Sequence, residues 1–229
     1  MTDKAPIAVA LDAPDVETAA RWAQAVTPYV AVLKVGLELF CRHGPEVVAA
    51  VRGGTGAPVF LDLKLHDIPA TVAGAARAVA RLKPRYVTVH ATGGRAMIQA
   101  AVQAAPDVHI AAVTVLTSLS ADDLHAMGVP GEPTERARHL AALAVDAGAR
   151  AIVCSPQEVP AVREAVGHGV TLITPGVRPL GADAQDQARI STPEQALANG
   201  ADLLVIGRPI TAAADPGAAA ARIASSIHR

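Results

Sequence analysis

Short apolar runs rich in valine, isoleucine and leucine alternate along this chain with longer segments in which apolar residues recur at helical spacing. The runs fall at 7–11, 30–35, 58–64, 85–90, 109–116, 151–154, 171–174 and 202–206. The helical segments fall between and after them, at 16–26, 37–51, 70–82, 95–104, 134–147, 156–166, 192–198 and 216–227. Asp15 before the first helical segment and Thr192-Pro193 at the seventh are start signals. Strands that alternate with helices imply parallel βαβ units. Eight such units in 229 residues predict one domain, 1–229, folded as a closed (β/α)₈ TIM barrel. An open doubly wound sheet usually has fewer strands. It also often carries a glycine-rich turn after the first strand, where this chain reads Leu11-Asp12-Ala13-Pro14. No low-complexity linker divides the chain, and no repeat beyond the βα period is visible.

Composition narrows the function. Apolar residues make up 51% and aromatics only 2%, so the core must be built from alanine, valine, leucine and isoleucine. That suits parallel strands covered on both faces by helices. A net charge of −1, with no basic run, argues against nucleic-acid and membrane-surface binding. No stretch reaches the roughly 18 continuous apolar residues of a membrane span. Residues 1–5 carry no signal-peptide pattern, and the expectation is a cytoplasmic protein. Cys41 and Cys154 make no disulfide framework, and each reads as a small buried hydrophobe.

In a barrel of this kind the active site lies at the C-terminal ends of the strands, so polar residues there carry the chemistry. The first run ends in Asp12, and the second holds Lys34 within Val32-Leu33-Lys34-Val35-Gly36. The third is Phe60-Leu61-Asp62-Leu63-Lys64-Leu65-His66-Asp67-Ile68-Pro69. Alternation places Asp62 and Lys64 on one face and the leucines on the other. Leucines facing the helices put the charges inside the barrel, where they must pair. Lys34 on the neighbouring strand is placed to join them. A buried ion pair is no requirement of stability, since an apolar replacement is often neutral or better. A titratable cluster in a cleft therefore points to function.

The seventh and eighth strands end in Thr174-Pro175-Gly176-Val177-Arg178 and Ile206-Gly207-Arg208-Pro209. Loops at these two positions commonly bind phosphate in barrels. Gly176 and Gly207 allow close backbone approach, and Arg208 offers a bidentate fork. The polar stretch 179–190, with Gly181, Asp183, Gln185, Asp186 and Gln187, reads as a lid over that phosphate.

The run Asp62-Leu63-Lys64-Leu65-His66-Asp67-Ile68-Pro69 resembles the orotidine-monophosphate decarboxylases. The resemblance continues through Ala10-Leu11-Asp12, Leu33-Lys34-Val35-Gly36, Val89-His90-Ala91 and Val113-Thr114-Val115-Leu116-Thr117-Ser118. It extends to Thr174–Pro179, Asp186-Gln187 and Val205–Pro209, nearly the whole chain in one order. The resemblance implies that Lys64 protonates C6 of the pyrimidine as carbon dioxide leaves, with Asp62 against the substrate carboxylate. Lys34 and Asp67 would complete an alternating array, Asp67 coming from the other subunit of a homodimer together with Thr71. Asp12 and Lys34 would hold ribose hydroxyls, Thr117 would meet the pyrimidine, and Arg178, Gln187, Gly207 and Arg208 would serve the base and phosphate. The segment from Asp62 to Thr71, including Leu63, Leu65, His66, Ile68, Pro69 and Ala70, is expected to line the nucleotide. No cofactor and no metal are implied.

Two alternatives remain at this stage. Sister barrels that act on ketose phosphates share the Asp-x-Lys-x-x-Asp spacing but use a divalent metal, as keto-gulonate-phosphate decarboxylases and hexulose-phosphate synthases do. Here Lys34 would repel a cation, and the eight histidines show no ligand spacing. His66 reads as a loop residue and His90 as a strand-end residue, neither of them catalytic. The other alternative is a non-catalytic nucleotide-binding barrel, against which the retained Asp62–Lys64 pair speaks.

Overall fold

The computed structural model describes residues 4–179 and 191–227. Eight parallel strands close into a barrel in sequence order. They are β1 (Ala5–Ala10), β2 (Val30–Gly36), β3 (Val59–Leu65) and β4 (Tyr86–His90), then β5 (His109–Val113), β6 (Ala151–Val153), β7 (Thr171–Thr174) and β8 (Leu203–Ile206). β1 pairs with β2 on one side and β8 on the other, which shuts the sheet. The TIM-barrel expectation is met, and every predicted strand is present.

Period-two alternation sorts the strand residues into two cores. The outward-facing set, with Ile7, Val9, Leu33, Leu61, Val87 and Ile110, packs under the helices. The inward-facing set forms a plug with one residue from each strand, namely Ala8, Val32, Phe60, Tyr86, Ala111, Ala151, Ile173 and Leu203. Phe60 meets Tyr86 edge to face at 5.8 Å. Alanines on β1, β5 and β6 leave the width those two rings need. A barrel poor in aromatics thus spends two of its few in a single layer, which fills the lower interior and forms a floor.

Most helices start within a residue of their predicted positions, but the sixth, read as 156–166, starts at Val159. Asp15 accepts from the Thr18 amide at 2.7 Å and caps the helix Val16–Val26. Thr192 accepts from the Gln195 amide at 3.2 Å and caps Pro193–Ala198. Three details differ from the pattern. The segment 37–51 is two helices, Leu37–His43 and Glu46–Gly53, broken at Gly44, whose φ of 60° a helix cannot accommodate, and at Pro45. The fifth strand stops at Val113, short of 116. A capped helix, Ala121–Ala126, and the short Arg208–Thr211 helix lie in stretches where the sequence pattern predicts no helix. Cys154 is buried as expected, but Cys41 is exposed. Among the described residues no helix is long and apolar enough to cross a membrane.

Candidate active site

One step up from the plug, each strand offers its next inward residue. These are Ala10, Lys34, Asp62, Thr88, Val113, Val153, Pro175 and Val205, and all but Thr88 line a cavity of about 620 Å³ at the C-terminal mouth. Phe60 forms part of its floor, and Asp12, Lys64, Thr117, Arg178, Gly207 and Arg208 are also among the lining residues. The strand-end residues singled out in the sequence therefore converge on one space.

The charges inside it alternate. Lys64 Nζ donates to Asp62 Oδ1 at 2.8 Å, and Lys34 Nζ lies 3.3 Å from Asp62 Oδ2 and 3.8 Å from Asp12 Oδ1. Lys34 is the most enclosed of the four, its side chain 9% exposed. Two acids and two bases sum to zero, so enclosure incurs no net ionic penalty. Burial pushes the Asp62 carboxyl up, but the Lys34 and Lys64 ammonium groups outweigh it. With hydrogen bonds from Lys64 and Thr88, they hold Asp62 below the usual carboxylate range. Asp62 is an anion in the resting site.

Gly36 ends β2 beside this array. A Cβ there would come within 2.8 Å of Asp12 Oδ1 and 3.1 Å of Lys34 Nζ, so the glycine makes room for the charges themselves. His66 and His90 stand with ring centroids 5.4 Å apart. Burial, then the neighbouring His66 and Lys64, push His90 below its ordinary value, which keeps it neutral at pH 7.

The ends of β7 and β8 face this array across the mouth. Gly176 is buried with φ of 78°, a conformation that favours glycine. Gly207 passes close to β1, where an added Cβ would lie 3.3 Å from Ala10 Cβ. Arg178 is buried, its Nη1 donating to the Val177 carbonyl at 2.9 Å. The Arg178 amide donates to the Ser191 carbonyl at 2.9 Å and the Ser191 amide to the Gly176 carbonyl at 3.2 Å. Those bonds tie the two stems of the 180–190 segment together at the mouth. Gln187, Asp186 and the rest of the expected lid lie outside the described residues.

The segment after Lys64 behaves differently. Leu63 is buried among the helix-facing residues and Leu65 packs against them, so neither side chain points into the cavity. His66, Asp67, Ile68, Pro69, Ala70 and Thr71 do not line it either. From Asp67 to Thr71 the residues are exposed, and Ile68 shows 66% of its surface. Asp67 Oδ1 accepts from the Ile68 amide at 2.6 Å. Among the lining residues that sequence reasoning passed over, Ala10, Val153, Val205 and Thr211 are small or apolar. Strand register, which one sequence does not reveal, singles out the first three, and Thr211 enters from the short helix that follows β8. Among the described residues no three His, Cys, Asp or Glu side chains gather as a metal site would require.

The model of the "Orotidine 5'-phosphate decarboxylase / HUMPS family" matches residues 5–223. The chain is 67% identical over 225 residues to the orotidine 5'-phosphate decarboxylase of Thermobifida fusca, covering 98% of this chain and 97% of that protein. It is 60% identical over 241 residues to that of Frankia casuarinae, covering 98% and 88%. The crystal structure of orotidine 5'-phosphate decarboxylase from Lactobacillus acidophilus superposes with a TM-score of 0.85 at 34% identity, covering 99% of this chain and all of that one. On sequence over nearly its full length, and on fold, the chain belongs to the orotidine 5'-phosphate decarboxylase / HUMPS family.

Proposed function

We propose that this protein converts orotidine 5'-monophosphate to UMP and carbon dioxide, the decarboxylation step of pyrimidine nucleotide synthesis. The observation that carries the reading is the closed-up Asp12–Lys34–Asp62–Lys64 array inside the cavity, with Asp62 held as an anion between two ammonium groups. It is supported by relatives of that name at 67% and 60% identity.

In this reading the nucleotide phosphate lies at Gly207 and Arg208, opposite the charges, with Arg178 and Gln187 at the base and phosphate end. Asp12 and Lys34 hold ribose hydroxyls, and Thr117 meets the pyrimidine. The substrate carboxylate comes to rest beside Asp62, and two anions so placed repel. As the C6–carboxylate bond breaks, its electron pair stays on C6 and carbon dioxide departs uncharged. The Lys64 ammonium, already oriented by Asp62, stabilises that developing charge and delivers its proton to C6. Solvent then reprotonates the Lys64 amine. Atoms and charge balance with one proton taken up per turnover. Neither a Schiff base nor an electron sink is needed in this scheme, and we assign no cofactor or metal.

Asp67 and Thr71 are exposed and stand outside the chain's own cavity. We assign both to the site of a second copy in a homodimer, where Asp67 would extend the alternation beyond Lys64. His66, Ile68, Pro69 and Ala70 then serve the site by carrying that edge. Leu63 and Leu65 act from behind, by seating β3 on the helices. The charged phosphate of the substrate keeps it inside cells, and we place the enzyme in the cytoplasm.

The test is ultraviolet absorbance of orotidine 5'-monophosphate mixed with purified protein in excess EDTA. Rapid conversion to UMP supports the reading. No conversion, together with turnover of a ketose phosphate when magnesium is added, would move the assignment to the metal-dependent sister barrels.

A further inference from the structure

β3 and β4 do not pair in simple register. Leu61 stands opposite Val87 and Leu65 opposite Val89, so four residues of β3 advance against two of β4. The surplus holds Asp62 and Lys64. At Lys64 the backbone is left-handed, with φ of 51°. A long side chain gains nothing there and is strained. Such a conformation persists only where its surroundings fix it. A bulge also takes its extra residues out of the ladder, so their amides need other acceptors.

Thr88 stands between Val87 and Val89, facing the bulge, and is fully buried. Its Oγ1 accepts the Lys64 amide at 2.8 Å and donates to Asp62 Oδ1 at 3.0 Å. A hydroxyl has one proton. Because the amide can only donate, that proton is committed to the carboxylate. The same Asp62 Oδ1 receives Lys64 Nζ at 2.8 Å. A ring thus closes from the Lys64 backbone through Thr88 and Asp62 to the Lys64 ammonium. Threonine is branched at Cβ, so χ1 is stiff on a strand and the hydroxyl is held in place.

We propose that Thr88 is a positioning residue for the decarboxylation, its hydroxyl fixing both the left-handed backbone of Lys64 and the carboxylate that aims the Lys64 ammonium. The proposal rests on the activity assigned above. Thr88 does not line the cavity and acts only through Lys64 and Asp62.

Three substitutions test it. Thr88→Val keeps shape and branching but removes the hydroxyl. Thr88→Ala leaves space for water should the valine variant fail to fold. Thr88→Ser keeps the hydroxyl. Removing a hydrogen bond to a charged group and loosening a positioned one should lower kcat roughly ten- to a hundredfold. KM should change by less than about threefold, because Thr88 touches no substrate, and Thr88→Ser should stay within about threefold of wild type on kcat. Exchange of the Lys64 backbone amide, followed by NMR without substrate, should be roughly tenfold faster or more in Thr88→Val or Thr88→Ala and close to wild type in Thr88→Ser.

A kcat within twofold of wild type in the hydroxyl-free variants would overturn the proposal. So would serine falling as far as alanine, or unchanged Lys64 amide exchange. If the wild-type protein leaves orotidine 5'-monophosphate intact, the activity assignment fails instead. Lys64 amide exchange then still decides whether Thr88 holds this backbone.

Discussion

Lys64 and Asp62 are separated by one residue on a strand, yet Lys64 Nζ lies 2.8 Å from Asp62 Oδ1. The contact arises where the strand pairing bulges and the Lys64 backbone turns left-handed. Lys34, 3.3 Å from the second oxygen of Asp62, completes the cradle from the neighbouring strand. In the proposed scheme the proton donor and the carboxylate that aims it are thus set by backbone geometry before any substrate arrives. Charges fixed in advance inside a partly enclosed cavity are worth more than the same charges in solution.

If the proposed homodimer brings the exposed Asp67 into the site of a second copy, activity should be shared between subunits. Asp67→Ala and Lys64→Ala homodimers should each be inactive. Mixing them should recover up to about a quarter of wild-type activity per subunit, since random exchange gives half heterodimers with one intact site each. An absence of recovery after demonstrated subunit exchange would place Asp67 outside the active site.

Gly36 is a sharper probe of the array than a charge deletion. Its φ is −83°, which any residue tolerates, so Gly36→Ala should leave stability within about 1 kcal/mol of wild type. The new methyl would nonetheless press on Asp12 and Lys34 at 2.8 and 3.1 Å, and flexible side-chain ends give way. The expected result is a fall in kcat/KM of roughly tenfold or more at nearly unchanged thermal stability. Full activity would show that the positions of Asp12 and Lys34 are not critical.

Stability should decline as the pH falls below 6.5, the ordinary histidine value. Burial, foremost, lowers both His90 and His109, which sits beside Arg85 and Arg150. Below 6.5 the unfolded chain takes up protons that the folded one refuses, so stability is lost until the folded values are reached. Asp62 adds a separate loss below 3.8, where the unfolded carboxyl protonates first. Denaturant midpoints from about pH 8 to about pH 5 should fall less steeply in a His90→Gln, His109→Gln double variant. An unchanged slope would exclude these two histidines as its source.

Much of this was legible from residue order alone. Eight β-rich runs alternating with helical periods fix a barrel, because the fold leaves few other ways to bury them. Alternation then assigns Phe60, Asp62 and Lys64 to the interior and Leu61 and Leu63 to the helix side, as found. What was hidden depends on pairing register. Nothing in Tyr86-Val87-Thr88-Val89-His90 distinguishes Thr88 from a threonine chosen for strand propensity. Its role appears only once the bulge sets it opposite Lys64. The break in the second helical segment is different. Gly44-Pro45 announces it, and the apolar periodicity on either side masked that signal.

The account rests most heavily on Lys64, and one measurement addresses it. Orotidine 5'-monophosphate turnover by Lys64→Ala should be followed by absorbance alongside wild type, with UMP binding to the same preparation measured by calorimetry. The prediction is loss of turnover to the limit of detection while UMP still binds, since the proposed phosphate and base contacts lie elsewhere in the cavity. Turnover near the wild-type rate in a variant that binds UMP would contradict the assignment of Lys64 as the proton donor.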